Sequence, residues 1–255
     1  MKKVWIGTSW KMNGNAAHTA AYLETLLAKV EQYTDTIQPF IIPPFPYLQQ
    51  ASQQVQGSAV KLGSQNVAHL SSGAFTGEVA APMLKEFGVS VVEMGHSERR
   101  SLFGETDDFV NKKVHQVLNQ GMQPLVCVGD TADEKRWSVS SESVVRQVKI
   151  ALHGVSDADV SKVLIAYEPV WAIGEHGVPA SAEEAAVIHT EIKNRLVEQR
   201  PGLSRDAITV IYGGSVNHSN AAELLAKDDV DGLFIGRSAW QVEGYLQILD
   251  IAHQR

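Results

Sequence analysis

Val163-Leu164-Ile165-Ala166-Tyr167-Glu168-Pro169-Val170-Trp171-Ala172-Ile173-Gly174 decides the fold of this chain. Five apolar or aromatic residues lead without interruption to a carboxylate, and a proline follows at once. Proline lacks the N–H that a sheet ladder needs and holds the residue before it in extended geometry. The stretch reads as a buried strand that ends at Glu168, with the carboxylate fixed at the strand's carboxyl end. Beyond it the chain passes Gly174 and Gly177 to reach Pro179-Ala180-Ser181. A loop with stiff ends and glycines in the middle has the make-up of a lid. Taken alone, Glu168 reads equally well as a strand-end residue that caps the next helix.

The same pattern recurs along the chain. Apolar runs at 4–7, 40–42, 60–63, 90–94, 124–128, 163–167, 207–212 and 230–235 alternate with helix-patterned stretches at 16–30, 46–55, 82–87, 107–119, 138–152, 182–199, 217–226 and 239–252. Within 16–30, for example, Leu23, Leu26, Leu27 and Val30 recur at helical spacing. Gln65 to Gly77 is a long polar, glycine-rich loop. The strand-like runs are apolar throughout rather than alternating, as strands covered by helices on both faces require. Eight such units in 255 residues point to an α/β fold, a single (β/α)8 barrel over residues 1–255, with its site on the loops after the strands. A doubly wound open sheet would instead want G-x-G-x-x-G after the first strand. Thr8-Ser9-Trp10-Lys11-Met12-Asn13-Gly14 stands there and does not match.

Composition narrows the class. The chain is 44% hydrophobic and 20% charged with a net charge of -7, an ordinary soluble make-up that argues against a nucleic-acid surface. The single cysteine, Cys127, excludes an intrachain disulfide framework and suits a reducing compartment. The apolar part of Met1-Lys2-Lys3-Val4-Trp5 is too short for a secretory core, and no run approaches membrane-spanning length. A cytoplasmic protein without membrane contact is expected.

In a barrel, polar residues at the carboxyl ends of the strands carry the chemistry. Here these are Ser9 and Lys11, Gln65 and Asn66, His96 to Glu98, Cys127, Glu168, Gly213 to Ser215, and Gly236 to Ser238. Glu168 can act as a general base, His96 can polarise a carbonyl or shuttle a proton, and Lys11 can hold an anion. Gly213-Gly214-Ser215 and Gly236-Arg237-Ser238 follow strands seven and eight, where backbone N–H groups bind phosphate in many barrels. Together they describe proton abstraction beside a carbonyl in a phosphorylated substrate. Each has a plainer reading: a Gly-Gly-Ser turn, a structural histidine, a packed cysteine, and a solvated helix start at Glu98-Arg99-Arg100. Glu175 and His176 read as solvent-facing. No H-x-x-x-H, C-x-x-C or carboxylate cluster at ligand spacing occurs in the sequence, so neither metal nor cofactor is expected.

Trp10-Lys11-Met12-Asn13, Gly73-Ala74-Phe75-Thr76-Gly77-Glu78, Gly95-His96-Ser97-Glu98-Arg99-Arg100, Ala166 to Gly174 and Tyr212-Gly213-Gly214-Ser215-Val216 resemble the signatures of the triosephosphate isomerase family, in family order along the whole chain. The resemblance implies that Glu168 is the base and His96 the electrophile, with Lys11 as the positive charge. Gly174, Ser215 and Gly236 would give N–H groups to the phosphate, with Gly214 and Arg237 beside them, and 169–180 would close over the site. Glu98 would stand behind Lys11 and His96, and Cys127 behind the site. It also implies a homodimer in which the loop 65–78 reaches the neighbouring subunit. The implied reaction interconverts dihydroxyacetone phosphate and glyceraldehyde 3-phosphate through an enediolate.

Three departures lie at the site. Ser9 stands where the family usually has asparagine, and it leaves room beside the substrate. Gly174-Glu175-His176-Gly177-Val178-Pro179-Ala180 replaces the usual lid tip and hinge. Arg237 replaces the second glycine of the last phosphate loop. These departures resemble a subgroup acting in four-carbon sugar-alcohol breakdown, which converts L-erythrulose 1-phosphate to D-erythrulose 4-phosphate. That reaction is the alternative to the triose reading. A Schiff-base aldolase would want a lysine on a central strand, and a non-catalytic scaffold would be expected to lose the base or the electrophile. Neither pattern is present.

Overall fold

Strands that are apolar on both faces have to be covered on both, and here they close on themselves. The computed structural model describes residues 2–173, 177 and 179–255. Its strands are β1 (Val4–Ser9), β2 (Ile37–Ile42), β3 (Lys61–Ser64), β4 (Val91–Met94), β5 (Gln123–Val128), β6 (Leu164–Tyr167), β7 (Thr209–Tyr212) and β8 (Gly232–Ile235). All are parallel and pair in sequence order, and β8 pairs back with β1, so the sheet is a closed eight-stranded barrel. Helices cover the outside, among them Ala16–Leu27, Leu48–Val55, Asp107–Asn119, Ser140–Ala151, Ala182–Gln199 and Val242–His253. Among the described residues, no helix is long and apolar enough to cross a membrane.

Two cores result from the period of two along each strand. Phe40 and Ile42, Leu125 and Cys127, and Leu164 and Ala166 point inward with Val91, Ile211 and Phe234 and fill the barrel. Alternate residues such as Ile41, Val92, Val126, Ile165 and Val210 pack outward under the helices. The same alternation puts Ser9, Glu93 and Glu168 on the inward side near the carboxyl ends. Closure of the barrel depends on a missing side chain at one seam. Gly232 on β8 is paired with Trp5 on β1, and a Cβ there would lie 1.9 Å from the Trp5 carbonyl oxygen.

Several helix limits differ from those read in the sequence. The stretch read as one helix over 138–152 begins at Ser140, and a separate turn, Ala132–Arg136, precedes it. A capping box starts that turn, and Ser138, left-handed at φ 59°, separates it from the helix that follows. Thr131 accepts from the Glu134 N–H, and the Glu134 carboxylate accepts from the Thr131 N–H. The helix read over 46–55 starts at Leu48, after a 3-10 turn at Phe45–Tyr47. The helices read over 217–226 and 239–252 are Ala221–Leu225 and Val242–His253.

Candidate active site

One cleft of about 270 Å3 opens at the carboxyl ends of the strands. Ser9, Lys11, His96, Glu98, Glu168, Gly214, Ser215, Gly236 and Arg237 all line it, so the fold gathers nearly every residue singled out in the sequence. Gly174, together with Glu175, His176 and Val178 of the lid tip, lies outside the described residues.

Glu168 follows β6 and is almost wholly buried, at 2% exposure. Its N–H donates to the Val128 carbonyl, which ties the strand end to β5. The side chain has room because Gly213 faces it: a Cβ there would lie 2.9 Å from Glu168 Cγ. Among the described residues its side chain has two hydrogen-bond or ion-pair contacts, both long. The Ser97 N–H is 3.4 Å from Oε2, and His96 Nε2 is 3.4 Å from Oε1. A carboxylate held this loosely is free to move toward a carbon atom in the cleft.

His96 caps the helix Ser97–Phe103, and its Nδ1 accepts from the Glu98 N–H at 3.2 Å. An accepting Nδ1 puts the single ring proton on Nε2, the nitrogen that faces Glu168 and the cleft.

Lys11 reaches the cleft with Nζ 2.6 Å from Glu98 Oε1. Its backbone has φ 52°, a left-handed conformation that is unusual for a side-chain-bearing residue. Gln65 steadies it by donating from Nε2 to the Lys11 carbonyl at 2.7 Å, and Asn13 donates to the Trp10 carbonyl beside it. Asn66 stands away from the cleft. It accepts from Lys113 Nζ, which is also paired with Glu105. On the far side, Asn220 holds the Ser215 carbonyl and Ser238 holds the Val216 carbonyl, so the two candidate phosphate loops are anchored to each other and to the barrel. Arg237 is exposed at the cleft edge and begins a 3-10 turn.

Cys127 is fully buried under this floor, as its packing reading anticipates. Burial, with the Glu168 carboxylate nearby, pushes its thiol well up from the usual range, so it is not a thiolate nucleophile. Glu98-Arg99-Arg100 is more than a solvated helix start. Arg99 pairs with Glu105 and Arg100 with Asp107, and Arg100 also donates to the Gly95 and Cys127 carbonyls.

Two residues at the site escape the sequence reading. Asp130 accepts from the Tyr167 hydroxyl, the Trp171 indole N–H and the Ser140 hydroxyl, and so clamps both flanks of Glu168. Glu93 lies inside β4 at 3% exposure and accepts from the Ser9 hydroxyl at 2.9 Å. Burial raises its pKa from 4.5 to about 7; His96 opposes the shift and Glu168 reinforces it. One side-chain polar atom from each of Glu93, His96 and Glu168 falls within 4.8 Å of the others. Such a cluster was not visible as any sequence spacing. The available signal was a carboxylate set inside a run that reads as buried.

A family model described as triosephosphate isomerase matches residues 4–252. The L-erythrulose-1-phosphate isomerase of Mesorhizobium japonicum is 44% identical over 246 residues, covering 96% of this chain and 95% of that protein. Proteins of the same name from Brucella abortus and Mycolicibacterium smegmatis are 44% and 43% identical over 250 and 252 residues, covering 98% of this chain and 96% and 93% of their own. With the family model matched from the first strand into the last helix, the chain belongs to the triosephosphate isomerase family.

Proposed function

We propose that this isomerase converts L-erythrulose 1-phosphate to D-erythrulose 4-phosphate. The observation that carries the reading is the set of full-length relatives at 43–44% identity bearing the name L-erythrulose-1-phosphate isomerase. Ser9 in place of the family's asparagine supports it. The four-carbon substrate is dihydroxyacetone phosphate with a hydroxymethyl group on the reacting carbon, and a small residue there leaves room for it.

Glu168 takes the proton from C3, the carbon bearing a hydroxyl and the terminal hydroxymethyl. Electrons move into the C2 carbonyl, whose oxygen is met by the Nε2 proton of His96 and the charge of Lys11. The resulting enediolate spans C2 and C3. Glu168 returns the proton to C2, and the C3 hydroxyl gives up its proton by way of His96. The carbonyl then stands at C3, and numbering from the other end names the product. Lys11 trades its 2.6 Å pairing with Glu98 for the oxyanion. Backbone N–H groups of Ser215 and Gly236 hold the phosphate, with Gly214 beside them and Arg237 adding charge at the rim. The segment 169–180 closes over the bound enediolate and excludes water.

The test is kcat/KM of the purified protein on L-erythrulose 1-phosphate and, in parallel, on dihydroxyacetone phosphate and glyceraldehyde 3-phosphate. A preference for the tetrulose of about 10³-fold or more is expected. Triose turnover near the diffusional range of about 10⁸ M⁻¹s⁻¹ would overturn the substrate reading. Glu168→Asp withdraws the carboxylate by one methylene and should lower kcat by about 10²-fold or more on the preferred substrate. Unchanged turnover would remove Glu168 from the role of base.

A further inference from the structure

A carboxyl group inside a barrel needs a reason. Glu93 sits on β4 beneath the cleft floor, within 4.8 Å of reacting groups on His96 and Glu168. Among the described residues its side chain has one hydrogen-bond partner, Ser9, and no lysine or arginine lies within ion-pairing distance. A carboxyl group has several hydrogen-bonding positions whether or not it holds its proton, so most of its capacity is unused. Leaving it so is costly, and an apolar residue of similar size would pack there without that cost. The barrel fold itself does not call for it.

The position of the pair matches one part of the proposed substrate. The phosphate loops follow β7 and β8, while Glu93 is on β4, opposite β8 in the eight-stranded ring. The end of the substrate away from its phosphate therefore points toward β4. In a tetrulose phosphate that end is the hydroxymethyl group, attached to the carbon that Glu168 deprotonates. In a triose phosphate the group is absent. Ser9, His96 and Glu168 line the cleft, and the buried Glu93 lies directly behind them, bonded to Ser9 and within 4.8 Å of the other two, so the carboxyl group is the nearest unfilled acceptor to that end of the cleft.

We propose that Ser9 and Glu93 together receive the terminal hydroxymethyl of the four-carbon substrate, with the substrate hydroxyl donating to the Glu93 carboxylate, and that Glu93 thereby sets the preference for tetrulose over triose phosphates. This assignment rests on the substrate reading above. Binding gives the carboxylate a second donor, and the analogue lacking the hydroxyl leaves it with one. A site built this way rejects the smaller substrate because its own buried polar group goes unpaired.

The experiment compares wild type, Glu93→Leu and Glu93→Gln on three compounds: L-erythrulose 1-phosphate, its 4-deoxy analogue with methyl in place of hydroxymethyl, and dihydroxyacetone phosphate. In wild type, loss of the hydroxyl should lower kcat/KM by about 100-fold or more. In Glu93→Leu the tetrulose and its 4-deoxy analogue should agree within about threefold, because the group that senses the hydroxyl is gone. If Glu93→Leu does not fold, Glu93→Gln keeps the volume and can still bond Ser9. It should narrow the wild-type ratio by about tenfold. An equal loss on all three compounds, with the ratio unchanged, would make Glu93 a tuner of Glu168 and overturn the assignment while leaving the substrate reading intact. Failure of wild type on the tetrulose would overturn both.

Discussion

Burial holds the Glu93 carboxyl at a pKa of about 7, above the 4.5 of a free glutamate, and that shift has a consequence for stability. Between these two values the unfolded chain has lost the proton while the native barrel keeps it. The native state binds more protons over this window, so stability falls as pH rises from 4.5 through 7 and levels off above it. The full effect is on the order of 3 kcal/mol at most. Glu93→Gln carries no such titration. Its melting temperature relative to wild type should therefore rise by several degrees between pH 5 and pH 8. Parallel melting curves across that range would show that Glu93 does not titrate between its buried and exposed states. Residues differ in how legible they were. Glu168, His96 and Lys11 stand out because each follows an apolar run where the strand stops. Glu93 sits inside such a run, between Val92 and Met94, and the run's hydrophobicity hides it. Asp130 hides for another reason. Its partners Tyr167, Trp171 and Ser140 come from separate segments that only packing brings together.

The strands were read correctly from continuous apolar runs, because both of their faces are buried and no alternation dilutes the signal. Helix limits were less legible, since capping and turn contacts set them rather than the apolar period. Thr131 and Glu134 close a short turn that periodicity alone joins to nothing. Ser181 and Glu184 make the same reciprocal cap at the start of Ala182–Gln199, directly after the lid, and there the limits agree with the sequence. At the seam between β1 and β8 the element-scale prediction concerns Gly232. Gly232→Ala would place its methyl against the Trp5 backbone, which cannot rotate away. The two strands must separate locally, at a cost of about 2–3 kcal/mol or more. Urea denaturation should show a lower midpoint with an unchanged slope. Since Ser9 and Gly236 lie at the far ends of these strands, KM should rise as well. A midpoint equal to wild type would mean that the seam has slack.

Large apolar side chains are exposed on the segments that follow β1, β3 and β4: Met12 at 96%, Phe75 at 46%, and Leu102 at 72% and Phe103 at 70% in the helix Ser97–Phe103. Exposed apolar side chains on neighbouring segments are what an association surface offers. With the family resemblance of the 65–78 loop, they support a homodimer. Sedimentation should then report about twice the chain mass of 27.8 kDa. Phe75→Glu places a charge in that surface and should sediment as a monomer. A fully active monomeric wild type would overturn the dimer.

The sequence by itself determined the barrel and its direction, and it singled out Glu168, His96 and Lys11 as the candidates at its mouth. Chain period and strand-end punctuation are local properties, and eight repeats of one local unit leave few ways to bury two apolar faces. Only the tertiary structure decided which inward side chains meet. Ser9 and Glu93 are 84 residues apart and touch because β1 and β4 face one interior once β8 has closed on β1. No local pattern encodes that contact, since each residue occupies an ordinary strand position and the pairing exists only across the closed barrel.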